Sequence, residues 1–429
     1  MKGKKGTIIL WSVFIIWVAL QTILVIKYWD MPNHDDALHY VNYAEDCIKL
    51  DTWYPAAHNE YDTFVFGPGY VNWLILVRKV FGSYSFARAL NLLMNVAMLF
   101  EVAFLARKWF DERVSRWASL LYMLTFSNLY LPIALLTDLP FTFMLLTSLV
   151  LATSRQLLPL AAAGTLIALA NWFRPLAAIF LLVILIHFII QRRQWHQYVA
   201  LGLPLVLTVF IIGQAAKERT GHFVYQAVSG GYNLAMSSFD GANGLVNFNG
   251  FNNPENEIYL PKQPYSYMER DSLLKTASIQ WILNHPAKYL SLLPVKIAAL
   301  YCEDTWPERV KPDQGFRVVL SNSKGNYKEL AKIISVLILK SAVYYCILIL
   351  FIYYVWHNRH HLFCKKNIYL LLPLLGTAAT AIFVITSRYH YPYMFAITIY
   401  AAAGLASFGE THRNLHSKTK IQKDNTLCN

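Results

Sequence analysis

Apolar runs dominate the chain, and short polar breaks divide them. The first run, residues 7–26, is long enough to cross a bilayer at about 1.5 Å per residue. It follows a basic head of Lys2, Lys4 and Lys5. It exceeds the roughly 7–15 residues of a signal-peptide core and no small-residue cleavage site follows, so it reads as an uncleaved anchor. Residues 86–106, 117–135, 141–153, 157–170, 176–190, 198–214, 331–356, 368–386 and 392–408 read as further spans. The pattern therefore predicts an all-α polytopic membrane protein with about ten transmembrane helices. Residues 35–51 suit a short amphipathic helix on the membrane surface. Residues 68–82 are apolar but too short to cross, so they are expected to be interfacial or re-entrant.

Periodicity changes after residue 214. Gly, Asn and Pro are dense from 230 to 264, where loops should dominate. In residues 271–284 Leu273, Leu274, Ala277, Trp281 and Ile282 share one helical face. Residues 289–302 are apolar, short and carry Lys296. If they crossed, the basic loop 359–366 would lie outside, so an interfacial helix is expected. Four parts follow: an N-terminal transmembrane module, 1–214, with its first external loop at 27–85; an extracytoplasmic region with juxtamembrane helices, 215–330; C-terminal transmembrane helices, 331–408; and a tail, 409–429, expected to be disordered.

Composition sharpens this. Charged residues are 15% of the chain, against roughly 25% in soluble domains. The runs do not alternate, which excludes a β-barrel. The formal charge of +13 raises the question of nucleic acid. The basic residues, however, cluster in short loops, as expected on the cytoplasmic side of a membrane protein, so no nucleic-acid partner is expected. That pattern places both termini in the cytoplasm, with a bacterial inner or plasma membrane as the setting. The five cysteines have no metal-type spacing. Cys47 and Cys302 both fall outside, and their pairing stays open.

The candidate chemistry is concentrated after the first span. Pro32-Asn33-His34-Asp35-Asp36-Ala37-Leu38-His39-Tyr40 puts two adjacent carboxylates at the outer face. Neighbouring like charges raise one pKa, which suits a base. Arg174 and Arg388 lie at expected outer span ends, where a planar guanidinium suits phosphate; snorkelling to the interface is their structural alternative. Asp138, at another outer end, is a functional candidate by position, or an N-cap for the helix opened by Leu139-Pro140.

In order along the chain come Pro32, Asp35-Asp36, His39-Tyr40, Gly67-Pro68-Gly69-Tyr70, Phe81-Gly82, Arg88 and Asn91. Asp138 in Thr-Asp-Leu-Pro, Arg174-Pro175, His285-Pro286 and Arg388-Tyr389-x-Tyr-Pro392 complete the set. This series resembles the C-type (GT-C) membrane glycosyltransferases, most of all the protein O-mannosyltransferase and aminoarabinose-transferase branch. The resemblance implies an inverting transfer from a polyprenyl-phosphate sugar to a glycan, lipid or protein at the outer face of the cell-envelope membrane. It makes Asp35 the general base, with Asp36 beside it orienting a substrate. His39, Tyr40, Asp138, Arg174, Arg388 and Tyr389 become substrate-binding candidates. The aminoarabinose branch has a Glu-Lys pair where this chain has Phe66-Gly67, so that phosphate and metal arrangement is missing. No cofactor is required on this reading. A divalent cation at Asp35 and Asp36 would draw on His34, His39, His58, His222 and His390. The competing readings are a polytopic transporter or lipid-carrier flippase, and an O-antigen-type polymerase or ligase.

Overall fold

The computed structural model describes residues 4–56, 64–307, 327–362 and 364–416. His58, the loop residues around it and the basic residues from Lys418 onward lie outside the described residues. Helices make up the described fold, and no strand occurs among those residues. Helix α1 (Lys4–Lys27) is followed by α2 (Asp35–Lys49), α3 (Pro68–Phe81) and α4 (Ser85–Trp109). Helices α5 (Glu112–Leu124), α6 (Phe126–Tyr130), α7 (Asp138–Ala152), α8 (Leu157–Phe173), α9 (Ala177–Ile190) and α10 (Trp195–Thr220) complete the first half.

Among the described residues four helices are long and apolar enough to cross a membrane, at residues Lys5–Lys27, Ser85–Trp109, Trp195–Thr220 and Ser387–Phe408. Two bent pairs raise this to six, so the protein is an integral membrane protein whose long apolar helices fall short of the expected ten. The shortfall has local causes. The expected span 117–135 is broken, because α5 stops at Leu124 and Thr125 turns extended (φ −70°, ψ 130°). Asn128 then donates to the Tyr122 carbonyl at 2.9 Å, taking over a helix-end acceptor. The stretch Phe126–Ile133 meets α7 at 116°. The expected span 331–356 bends by 60° at Ser341, between the helices Tyr327–Lys340 and Ala342–His357. Helix α3 has 14 residues, too few to cross.

Most buried apolar residues form one core across the bundle. The last long helix, which begins at the Ser387–His390 turn and continues as Tyr391–His416, runs almost wholly buried through its centre, while the first is mostly exposed. The region after α10 builds its own small core from Ala235, Met236, Phe239, Phe251, Ile258, Leu274, Trp281 and Val384. Its two longer helices are Tyr267–Asn284 and Pro286–Tyr301. The buried stripe of the first is Tyr267, Asp271, Leu274, Ser278 and Trp281, a heptad spacing; Leu273, expected on it, is exposed. Asp271 is turned inward because its carboxylate accepts from the Tyr232 N–H at 2.9 Å. Lys296 is fully buried between this region and the bundle, donating to Ser237 Oγ (3.1 Å) and the Ala381 carbonyl (3.2 Å).

Candidate active site

The C-terminal end of α1 is tied down by one side chain. Arg88, 2% exposed near the start of α4, donates to the carbonyls of Trp29 (2.7 Å), Met31 (3.0 Å) and Ile133 (3.0 Å) and to Asn33 Oδ1 (3.2 Å). Asn91, one helical turn on, donates to the Ala134 carbonyl at 3.0 Å. The Arg-x-x-Asn pair on one helix face thus holds both the loop before Asp35 and the loop before Asp138.

That loop delivers an unusual backbone. His34 is extended (φ −135°, ψ 162°), and Asp35 then adopts φ +47°. A positive φ is uncommon for a residue with a Cβ, although Asp tolerates it better than most. Such conformations persist where surroundings impose them. The result separates the doublet. Asp35 is exposed and has no side-chain partner among the described residues. Asp36 turns toward the bundle and pairs with Arg388.

A second wall comes from the Gly-Pro-Gly-Tyr stretch. A Cβ on Gly67 would lie 2.1 Å from the Phe173 carbonyl oxygen, and one on Gly69 would lie 2.4 Å from the Phe173 ring. Only glycine permits this approach of α3 to the end of α8. The approach places Arg174, the residue after α8, against the site. Tyr70, Tyr40 and Phe66 make edge contacts (Tyr40 to each at 4.9 Å), and His39 stacks on Phe66 at 5.8 Å. Phe66 and Gly67 therefore pack this wall of the site.

The third element is a single 3-10 turn, Ser387–His390. Arg388 bonds Asp36 through a short contact, and Arg174 bonds Asp138 likewise. Both guanidinium groups approach the Tyr389 ring, Arg174 at 4.9 Å and Arg388 at 5.6 Å from its centroid. The negative ring face partly screens two cations from each other. Side-chain exposure rises from 0% at Asp138 through 12% at Arg174 and 22% at Arg388 to 34% at Asp36, so the row runs from the interior toward the opening. The Arg388 guanidinium holds the Asp36 carboxyl below its ordinary range against the opposing effect of burial, with Arg174 and His39 adding to it. Burial pushes the Tyr40 phenol upward, and Asp36 reinforces that.

Asp138, Arg174, Tyr389, Arg388 and Asp36 thus form one continuous row, flanked by Tyr40 and His39, with Asp35 at its outer edge. Asp138 is the first residue of α7 and does not cap it; its carboxylate goes to Arg174, and its Oδ2 is buried without a hydrogen-bond partner. Arg174 and Arg388 are each paired with a carboxylate. Of the five histidines, His39 adjoins Asp36 and stacks on Phe66, whereas His222 lies against Phe64 and His390 is buried on the Leu300 carbonyl. Among the described residues the metal-compatible group of His, Cys, Asp and Glu is Asp240, Glu257 and His285, which excludes Asp35 and Asp36. Cys47 and Cys302 are not joined by a disulfide. Sequence reasoning passed over Glu303 and Asp304, which lie behind the row. The only signal was an acidic doublet between an apolar helix and Thr305-Trp306.

No protein-family profile and no curated protein matches the chain. Among solved structures it is similar to ArnT from Cupriavidus metallidurans in the apo state. Identity is 13%, covering 96% of this chain and 66% of that one, with a TM-score of 0.49. The same protein bound to undecaprenyl phosphate gives 12%, 94%, 63% and 0.48. The Archaeoglobus fulgidus oligosaccharyltransferase in the apo form gives 14%, 97%, 52% and 0.49. The chain therefore spans about half to two thirds of these proteins.

Proposed function

We propose that the chain is an integral-membrane glycosyltransferase of the GT-C type, using a polyprenyl-phosphate sugar and acting on the extracytoplasmic side. The observation that carries this reading is the row itself. Two arginines, each held by one carboxylate, share a tyrosine face beside an unpaired aspartate. A lipid phosphate offers several oxygens to two guanidinium forks, and Arg binds such groups bidentately. It would take Arg388 and Arg174 from Asp36 and Asp138. The buried Oδ2 of Asp138 suits a sugar hydroxyl, which donates to it.

In the reaction the acceptor O–H gives its proton to Asp35, and the oxygen forms a bond to the anomeric carbon. The bond from that carbon to the phosphate oxygen breaks, and its electron pair leaves on the phosphate. The two arginines stabilise that developing charge. Attack opposite the leaving group inverts the centre. The acceptor is a glycan, lipid or protein hydroxyl.

The test is sugar transfer in purified membranes from a panel of radiolabelled polyprenyl-phosphate sugars with acceptor-rich extract, wild type beside Asp35→Asn. Label should move only in the wild type, a loss of at least about 100-fold in the variant. Wild-type turnover by Asp35→Asn would remove the base assignment. Failure of every donor with folded wild type would remove the transferase reading.

A further inference from the structure

The Ser387–His390 turn has a back edge as well as a front. In a 3-10 helix with about 3.0 residues per turn, side chains three apart eclipse. Ser387 and His390 therefore share one edge, while Arg388 and Tyr389 face the row. That back edge meets a second acidic doublet. Ser387 Oγ donates to Glu303 Oε1 at 3.1 Å, and His390 Nε2 faces Asp304 Oδ1 at 3.9 Å. Consecutive carboxylates thus meet positions one turn apart, Glu303 through a hydrogen bond and Asp304 by facing the His390 ring beyond hydrogen-bond distance.

The doublet is itself anchored. Glu303 Oε2 accepts from Thr305 Oγ1 at 2.6 Å. Asp304 Oδ2 accepts from the Ser127 N–H at 2.9 Å, and its own N–H donates to Ser341 Oγ at 3.3 Å. These two anchors are the helix breaks at Thr125 and Ser341. His390 is clamped between the Tyr301 and Tyr344 rings, at 5.7 and 5.2 Å. Its Nδ1 lies 2.8 Å from the Leu300 carbonyl, which only accepts, so Nδ1 carries the hydrogen. Glu303, Asp304, Ser387 and His390 are 6%, 0%, 6% and 0% exposed. Burying two carboxylates is unfavourable, and a leucine pair would fill the same space more cheaply. Their partners are the two residues that bracket Arg388-Tyr389.

We infer that Glu303 and Asp304 are positioning residues that act through Ser387 and His390 to fix Arg388 and Tyr389 for an anionic lipid phosphate. The inference rests on the function proposed above. The doublet touches no substrate. It sets the rotation of the turn, and so the aim of the guanidinium.

The experiment uses the full chain in nanodiscs and undecaprenyl phosphate as the probe. Asp304→Asn keeps the shape and an acceptor for Ser127; Ser387→Ala removes the other grip. Ser387→Ala should weaken binding by roughly tenfold, the scale of one charge-assisted hydrogen bond, and Asp304→Asn, which removes the charge facing His390, by roughly threefold. In the transfer assay the KM for donor should rise while the KM for acceptor stays constant. In an Arg388→Lys background, Asp304→Asn should add little further loss. Unchanged binding in both variants, or the same loss in both backgrounds, overturns the inference. If wild type binds no polyprenyl phosphate, the proposed function falls. The clasp is then judged without ligand, from thermal unfolding of Asp304→Asn, Arg388→Met and the double variant. Non-additive shifts support it, and additive shifts overturn it.

Discussion

Arg88 and Arg388 are two largely buried arginines on opposite sides of the same loop, and they are held in opposite ways. Arg88 gives its hydrogens to three backbone carbonyls and one asparagine oxygen. Its partners are neutral and fixed by the chain. Arg388 has one carboxylate and one aromatic face. Its carboxylate partner is one-third exposed and sits on a side chain that can turn away. A phosphate cannot displace four acceptors built into loops. It can displace one aspartate. The difference separates an arginine that builds the site from one available to a ligand, although sequence alone presents both as arginines near a span end.

The largest expected effect breaks the first of these. Arg88→Met strands four acceptors, each worth about 1–3 kcal/mol when buried without a donor. Thermal unfolding in detergent should show a severe loss of stability. Arg388→Ala should leave unfolding close to wild type while undecaprenyl phosphate affinity falls by about 10- to 100-fold. Equal destabilisation by both variants would erase the distinction. Asp36→Asn should act in the opposite direction. It frees Arg388, so phosphate affinity should rise by about two- to fivefold, the scale of a partly screened ion pair. A fall would mean that Asp36 orients the guanidinium and does not merely hold its place.

Lys296 sharpens the comparison from a third side, because it too is a buried cation with neutral acceptors. Burial lowers its pKa from 10.5 to about 8. Between those values the unfolded chain holds a proton that the folded chain does not. Stability contributed by this residue therefore rises with pH across that window. The apparent Tm of wild type relative to Lys296→Met should increase from pH 8 to 10.5. A flat difference would mean that water reaches the ammonium.

The candidate residues stood out in the sequence because each type states a chemistry: Asp35-Asp36 after the first apolar run and arginines at expected span ends. Their order along the chain pointed to one end of the bundle. What was not legible depends on contacts far apart in sequence. Hydropathy averages over Thr125 and Ser341, so two broken helices read as continuous spans. Glu303 and Asp304 were passed over because their partners in the turn lie about 85 residues later. Asp138 read as a functional candidate or a cap, since capping is local, whereas its partner Arg174 is 36 positions away. The fork between Asp35 and Asp36 arises from a left-handed backbone that no side-chain pattern announces.

The tie made by Arg88 bears on the membrane as a mechanical load. It fastens the C-terminal end of α1, the start of α4 and the segment before α7 to one planar group. A bilayer thicker or thinner than the apolar helices must be met by tilt, at fractions of a kcal/mol per Å. With these ends pinned together, that tilt is taken up at the opposite ends. The distance between the two carboxylate-bearing loops then stays constant as lipid thickness varies, which would let the same row work unchanged in membranes of different composition.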